Sequence, residues 1–539
     1  MDNHQTASTS PAGLQVYSGS WTEQERIHLL KRTMFGVKRT DLDYFKNKTM
    51  VETVDELLNP VSPLPDPPVK EYTTGNATVP DTQVAAGTTW VNDPSADGTI
   101  ASLRRASFKK WWMGVMIHQD RSLREKMTLF WHNHFSTETN DVGNAQYVYK
   151  HHHLLRTNAL GNFKYLTKAV TTDPAMLVYL NGQLNTKTAA DENYGRELQE
   201  LFCCGKGPDS LYTESDVKAA AKVLTGWRNN ATSITSYFDP NRHDTTNKSF
   251  SAFYKNTLIQ GRSGANAGEL ELDDLLNMIF SVDEVAKYIC RRLYRWFVYY
   301  DIDATVEANV IVPMAGLLRD AQYEIKPVLS ALLKSEHFYD TLSRGCLIKS
   351  PVDLVVGMCR ELNVAFQPQE DYVTNYGFYN YLVNWLASMQ QNIGDPPDVS
   401  GWKAYYQEPQ FYEIWINSDT LPKRNQFTDL MMVNGYTFNG KKLQIDGAEL
   451  VKFLSDPANP NQLIDDLTAV MYRINISPAS KAQLKKDILL SGQLNDQYWT
   501  DAWNTFISTP GNASNTTSVK NKIRDLIKYL MNLAEYQLA

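Results

Sequence analysis

Six of the ten histidines fall between positions 118 and 153: His118, the pair in Trp131-His132-Asn133-His134-Phe135, and the run His151-His152-His153. About forty residues further on comes Asp191-Glu192-Asn193-Tyr194-Gly195-Arg196-Glu197-Leu198-Gln199-Glu200-Leu201-Phe202. Imidazoles and carboxylates are the groups that divalent metals and proton transfer require. Two imidazoles and one carboxylate, His132, His134 and Glu197, would leave open positions on zinc, where water is activated for hydrolysis, or on iron, where oxygen chemistry becomes possible.

That donor set depends on local geometry. Two residues apart on one helix, His132 and His134 would point about 200° apart. Sharing an ion therefore requires the chain to turn extended near Asn133, and Ser136-Thr137-Glu138-Thr139-Asn140 reads as a helix terminus. In the later segment Tyr194, Leu198, Leu201 and Phe202 form an apolar stripe with Glu197 on its edge. Glu197 is therefore expected to be partly buried beside a metal, a histidine or an arginine, with Glu200 on the same side and Arg196 turned away toward Glu192. Glu192, Glu200 and His243, the last followed by Asp244 with Lys248 nearby, complete the candidate set. The run at 151–153 reads as solvent-facing or capping, with at most one ring in a site. Cys203-Cys204 read as core.

The elements that must position these groups are helical. Thr22 to Leu58 reads as two short helices behind a start signal at Thr22, and residues 1–21 as a loose N-terminus. Seven prolines between Pro60 and Pro94 make residues 59–98 a long loop, a lid or a wrap over the body. Residues 99–430 read as a helical core holding the His/Glu cluster, interrupted over 229–270 by an irregular or hairpin insertion. Residues 431–539 form a C-terminal helical region. Thr213 with Asp216 three residues on resembles a capping box. With no repeat and no series of alternating strands, the fold class is mainly α, one large helical body.

Composition narrows the function. An apolar fraction of 42% with 29 Tyr and 12 Trp describes a folded chain. A net charge of −7 offers no field for nucleic acid or an anionic bilayer. The five cysteines lack C-x-x-C spacing, so neither a disulfide framework nor a thiolate zinc site is expected. No secretory leader opens the chain and no apolar run is long enough to span a membrane, which favours the cytoplasm, or the periplasm if a leader has been removed. No nucleotide or flavin motif, G-x-S-x-G elbow or H-E-x-x-H helix occurs.

Several segments taken together resemble a large bacterial family catalogued as domain of unknown function 1800. They are Phe130 to Phe135, Ala159-Leu160-Gly161-Asn162-Phe163, Asp173 to Leu177, Tyr179-Leu180-Asn181-Gly182, Glu192 to Phe202, Tyr212 to Val217, Leu224-Thr225-Gly226-Trp227, His243-Asp244 and Pro396-Pro397-Asp398-Val399-Ser400-Gly401-Trp402. The likeness spans roughly 25 to 430. It implies a bacterial protein whose family is often encoded beside proteins of the alkaline phosphatase and sulfatase type, and it supplies no reaction. The chain departs from the family pattern at Asp191, at Gly195, where alanine is usual, and at Lys403-Ala404-Tyr405-Tyr406, where Pro-Gly-Gly is usual.

Three functional readings follow. One is a metal-dependent enzyme, hydrolytic rather than oxidative, on His132, His134 and Glu197. Another is a non-catalytic scaffold that binds a sulfatase-like partner. The third is a metal-free acid/base glycosidase with Glu197 and Glu200 or Glu214 as its carboxylates.

Overall fold

The computed structural model describes residues 13–72, 81–402 and 413–539. The expectations for residues 1–12, for Pro80 and for Lys403 to Tyr406 lie outside these.

The chain is mainly α, with strands only in two-stranded hairpins among the described residues. Local chemistry sets many of the boundaries. Thr22 and Glu25 exchange bonds in a capping box at the head of the Glu23–Thr33 helix, and Thr213 with Asp216 does the same for Glu214–Val223. The N-terminal segment holds three helices rather than two, Glu23–Thr33, Arg39–Phe45 and Met50–Leu58. The first ends where Gly36 takes φ +70° and its Cα lies so close to Gly357 that a Cβ would come within 2.7 Å of it. Residues 145–171 hold two helices, Ala145–Thr157 and Phe163–Thr171, because Asn158 caps the first and Asn162 starts the second.

Two apolar cores organise the body. One joins the Glu23–Thr33, Met50–Leu58, Phe163–Thr171, Ala267–Ile279, Asp283–Phe297 and Ile325–Leu333 helices. The other joins Gly98–His118, Pro351–Glu361 and Tyr372–Ser388 to the C-terminal helices Thr420–Val433, Pro460–Met471 and Ala513–Asn532. The C-terminal region is thus half of a core and not an appendage. Between the cores runs the Arg124–His134 helix, buried at every residue from Glu125 to His134. Met127, Phe130 and Trp131 serve the first core and Leu129 the second, so the helix is covered from both sides and its polar residues are buried with it.

The Pro-rich segment is a wrap, tied down along its described length. Val69 bridges Thr89, Trp111 Nε1 donates to Asp66 O at 2.7 Å, and Arg104 pairs with Asp81 at 3.0 Å with both side chains out of solvent. Residues 13–21, expected to be loose, are also attached. Tyr17 N donates to Lys334 O, Ser18 N donates to Glu336, and Trp21 packs against the first core. The insertion over 229–270 is hairpins as expected, Trp227–Asn230 with Thr235–Phe238 and Lys248–Ser249 with Leu258–Ile259.

Candidate functional site

The helix through Trp131 does not break at Asn133. It continues through His134, Phe135 N donating to Trp131 O at 2.7 Å, and Ser136 Oγ then caps the carbonyls of His132 and Asn133. The turn to extended chain is therefore absent, and the two imidazoles face different cores. His132 lies edge-on to Trp112 at 5.0 Å and near Trp402 at 5.8 Å. His134 lies among Phe163, Phe202 and Tyr288, its ring donating from Nε2 to Phe202 O at 3.0 Å. Burial holds both rings neutral, His132 down to about 3 and His134 well below the usual imidazole range, with Arg292 adding to the second effect. Among the described residues no three His, Cys, Asp or Glu side chains stand where one metal ion could be held. The two-imidazole zinc or iron centre therefore has no converging donor set here.

The segment after Glu192 is helical, but not uniformly. An α-helical stretch, Asn193–Glu197, passes into a π-helical one, Leu198–Cys203, closed by Cys204 N donating to Gln199 O. The cause is visible in Gln199. Its Nε2 donates to Gly195 O at 2.8 Å, inserting a side chain into the ladder, while Tyr254 OH donates to its Oε1. The widened turn sends the carbonyl of Phe202 to His134 and that of Leu201 to Tyr288. Such bulges recur at functional sites.

Glu197 sits at the head of this turn, partly buried as expected, with Tyr194, Leu198, Leu201 and Phe202 buried beneath it. Among the described residues its carboxyl makes no hydrogen bond or ion pair, so it is bonded to neither a histidine nor an arginine. Burial, then the Glu200 carboxylate, push it up to about 7, against the pull of Arg196 and Lys206. Glu200 is held differently, by Lys206 Nζ at 2.5 Å and Tyr212 OH at 3.2 Å. Arg196 turns away as expected and is shared by Glu192 and Glu214.

Residues that the pattern of side chains did not single out complete the surroundings. Asp398 lies close enough to raise both Glu197 and Glu138. Burial, then Asp141, are the larger causes of the shift at Glu138, and Tyr179 OH donates to it at 3.2 Å. Tyr179 and Asp398 stand in segments that carry the family resemblance, the one signal that pointed to them. The loop bearing Asp398 is anchored by Asn133, whose Oδ1 accepts Trp402 N at 2.8 Å. Gly401, at φ +83°, lies so close that a Cβ would overlap Asn133 Oδ1 and O. Gly401→Ala is expected to cost about 1–3 kcal/mol in urea denaturation and to change the near-UV signal of Trp402.

The remaining candidates have structural surroundings. His243 is buried with Nδ1 3.0 Å from Thr225 O and Nε2 3.1 Å from Glu271, which also takes Lys248 at 2.6 Å. Glu271 stays below the usual carboxylate range because bonds from His243, Lys248 and Arg262 N outweigh its burial. This network fastens the hairpin insertion to the Ala267–Ile279 helix. His151 and His152 are buried and not solvent-facing: His151 lies between Asp173 at 3.0 Å and Phe135 O at 3.1 Å, and His152 packs on Trp112 at 4.1 Å. The five cysteines are free, four of them buried, in keeping with core packing at Cys203-Cys204. No helix among the described residues is long and apolar enough to cross a membrane.

A search of the curated proteins and a search of the solved structures each found no match. A family model described as a protein of unknown function, DUF1800, matches residues 28–538. It takes in the Trp131 to Phe135 helix, the Glu197 turn, the Asp398 loop and also the C-terminal helices that complete the second core. The match covers nearly the whole chain, and the protein belongs to the DUF1800 family.

Proposed function

We propose that the protein is a hydrolase that works by acid/base catalysis on a glycosidic bond, with Glu197 as the proton donor. The observation supporting this reading is the pair of carboxyls one turn apart in different surroundings. Glu197 has no partner among the described residues and is raised to about 7, while Glu200 is held by Lys206 and Tyr212. A carboxyl raised toward neutral pH can donate a proton there, and a second carboxyl nearby supplies the other half of an acid/base pair. Glu197 would protonate the leaving oxygen as the C–O bond breaks. Glu200 would take the proton of the water that adds to the carbon, and exchange with solvent would restore both groups.

Release of nitrophenol from a panel of aryl glycosides, measured from pH 5 to 9 with and without a strong chelator, tests the reading. Activity that falls above about pH 7 and persists in chelator is expected. Activity lost in chelator and restored by zinc or iron would return the chemistry to a metal, and an unchanged rate in Glu200→Gln would remove the proposed base.

A further inference from the structure

Beneath the Pro-rich wrap lies a cavity of about 930 Å³. Small-molecule sites span roughly 300–1,000 Å³, so its size is that of a binding site and not of a packing defect. Three pieces of chain enclose it. The wrap contributes Pro63, Pro65 and Pro67, the Gly98–His118 helix and the residue after it contribute Trp111 and Gln119, and the Tyr372–Ser388 helix contributes Tyr372. The two helices meet at Gly114, where a Cβ would come within 2.6 Å of the Tyr379 ring. Arg124 fixes the wrap over them by donating to Ser62 O at 2.8 Å and Pro63 O at 2.9 Å. Trp111 Nε1 holds it at Asp66 O, and Val69 N donates to Tyr376 OH at 3.3 Å. Tyr72 and Asp81, bonded at Arg104 about two turns earlier in the first helix, do not line the cavity.

Most polar groups of the wall are already engaged. Proline carries no N–H, and Arg124 and Trp111 take up the carbonyls of Ser62, Pro63 and Asp66. Tyr379 OH lies 3.0 Å from His118 Nε2, and Glu125 pairs with Arg156. Gln119 is the exception, because its Oε1 and Nε2 are both buried with no partner among the described residues. A primary amide sets a donor beside an acceptor and so complements two hydroxyls, each of which donates and accepts. Enclosed and unpaired, it is costly.

The charge is close to balanced. Arg124 stands against Asp66 and Asp120, and burial, then Lys38 and Arg360, bring His118 down to about 4, which leaves it neutral at physiological pH. An ionic ligand therefore finds no large excess of opposite charge. An extended peptide finds few free backbone groups to pair with. Sugar rings match what is left, with C–H groups on their faces for the proline and tyrosine rings and hydroxyls around the rim for the amide.

We infer that this cavity binds a short neutral saccharide, its ring faces against the prolines and Tyr372 and a pair of its hydroxyls on the Gln119 amide. The site is separate from the Glu197 reading, since neither Glu197 nor Glu200 lines it.

Titration calorimetry of the full chain with cellotriose, maltotriose, xylotriose, mannotriose and chitotriose tests it, beside trigalacturonate and a Pro-rich peptide of similar size. Binding of at least one neutral trisaccharide in preference to both controls is expected. Binding of none of the five, or of the peptide in their place, would overturn the site. The same titrations in Glu197→Gln separate this cavity from the acid pair. Unchanged affinity supports the cavity, and loss of binding would place the sugar at Glu197 instead. Binding without hydrolysis of any glycoside would support the cavity and count against the acid pair alone. Gln119→Met keeps the side chain's size and removes both amide groups, and Tyr372→Ala removes a ring from a half-buried residue at the start of its helix. Affinity is expected to fall at least ~10-fold in each, whereas wild-type affinity in both would refute the assignment. Should Gln119→Met fold poorly by far-UV circular dichroism, Tyr372→Ala decides.

Discussion

Glu125→Ala is expected to destabilise the protein by about 3–5 kcal/mol, because it strands a buried guanidinium. Glu125 holds Arg156 through two bonds of 2.7 and 2.9 Å, with side chains 4% and 1% exposed. Without it, Arg156 keeps, among the described residues, His152 Nδ1 at 3.0 Å and the face of Trp111 at 4.9 Å. The pair joins the Arg124–His134 helix to Ala145–Thr157, and His152 passes the loss on to Trp112 and so to the surroundings of His132. Urea denaturation of Glu125→Ala, Arg156→Met and the double variant measures this. The double variant should be more stable than Glu125→Ala alone, because the unpaired charge has gone. Equal losses in all three would show that packing and not charge is at stake.

Glu197→Gln is expected to lower the turnover of a cleaved glycoside by roughly 10²–10⁴-fold, the usual worth of a positioned proton donor. It carries a second consequence that needs no substrate. In the folded protein Glu197 titrates at about 7 against an ordinary 4.5, so the native state binds that proton more tightly than the unfolded chain. Its contribution to stability is complete below about pH 4.5 and is lost as the pH rises through about 7. Glutamine cannot ionise. At pH 8 the variant should therefore exceed the wild type by on the order of 1–2 kcal/mol, allowing for the part of the side chain that solvent screens, and at pH 4 the two should coincide. A variant no more stable at pH 8 than at pH 4, relative to wild type, would place the carboxyl in the ordinary range and remove the donor.

Which parts of this were legible from residue order follows a physical division. The apolar stripe of Tyr194, Leu198, Leu201 and Phe202, the half-buried place of Glu197, the outward turn of Arg196 and the capping boxes at Thr22 and Thr213 all arise within a few residues of chain. Helical periodicity and cap chemistry act at that range, so the mainly α class and several helix starts could be read directly. The divergence of His132 and His134 was also contained in the spacing, since two steps of a helix separate them by about 200°. What spacing could not show was whether the helix would stop at Asn133. That depends on two cores packing against opposite sides of Arg124–His134, which rewards an unbroken helix buried all round.

Long-range pairing decided the rest. Glu197 and Asp398 lie about two hundred positions apart, Asn133 and Trp402 farther still, and nothing in either segment names its partner. The burial of His151, His152 and His243, and the π-helical turn that Gln199 inserts after Glu197, equally depend on neighbours from distant helices. Local patterns record how each piece of chain satisfies its own backbone and presents an apolar face. Which carboxyl is left half-buried without an ion pair depends on how those faces meet, because desolvation and Coulomb interactions act between groups brought together by folding and not between groups adjacent in the chain.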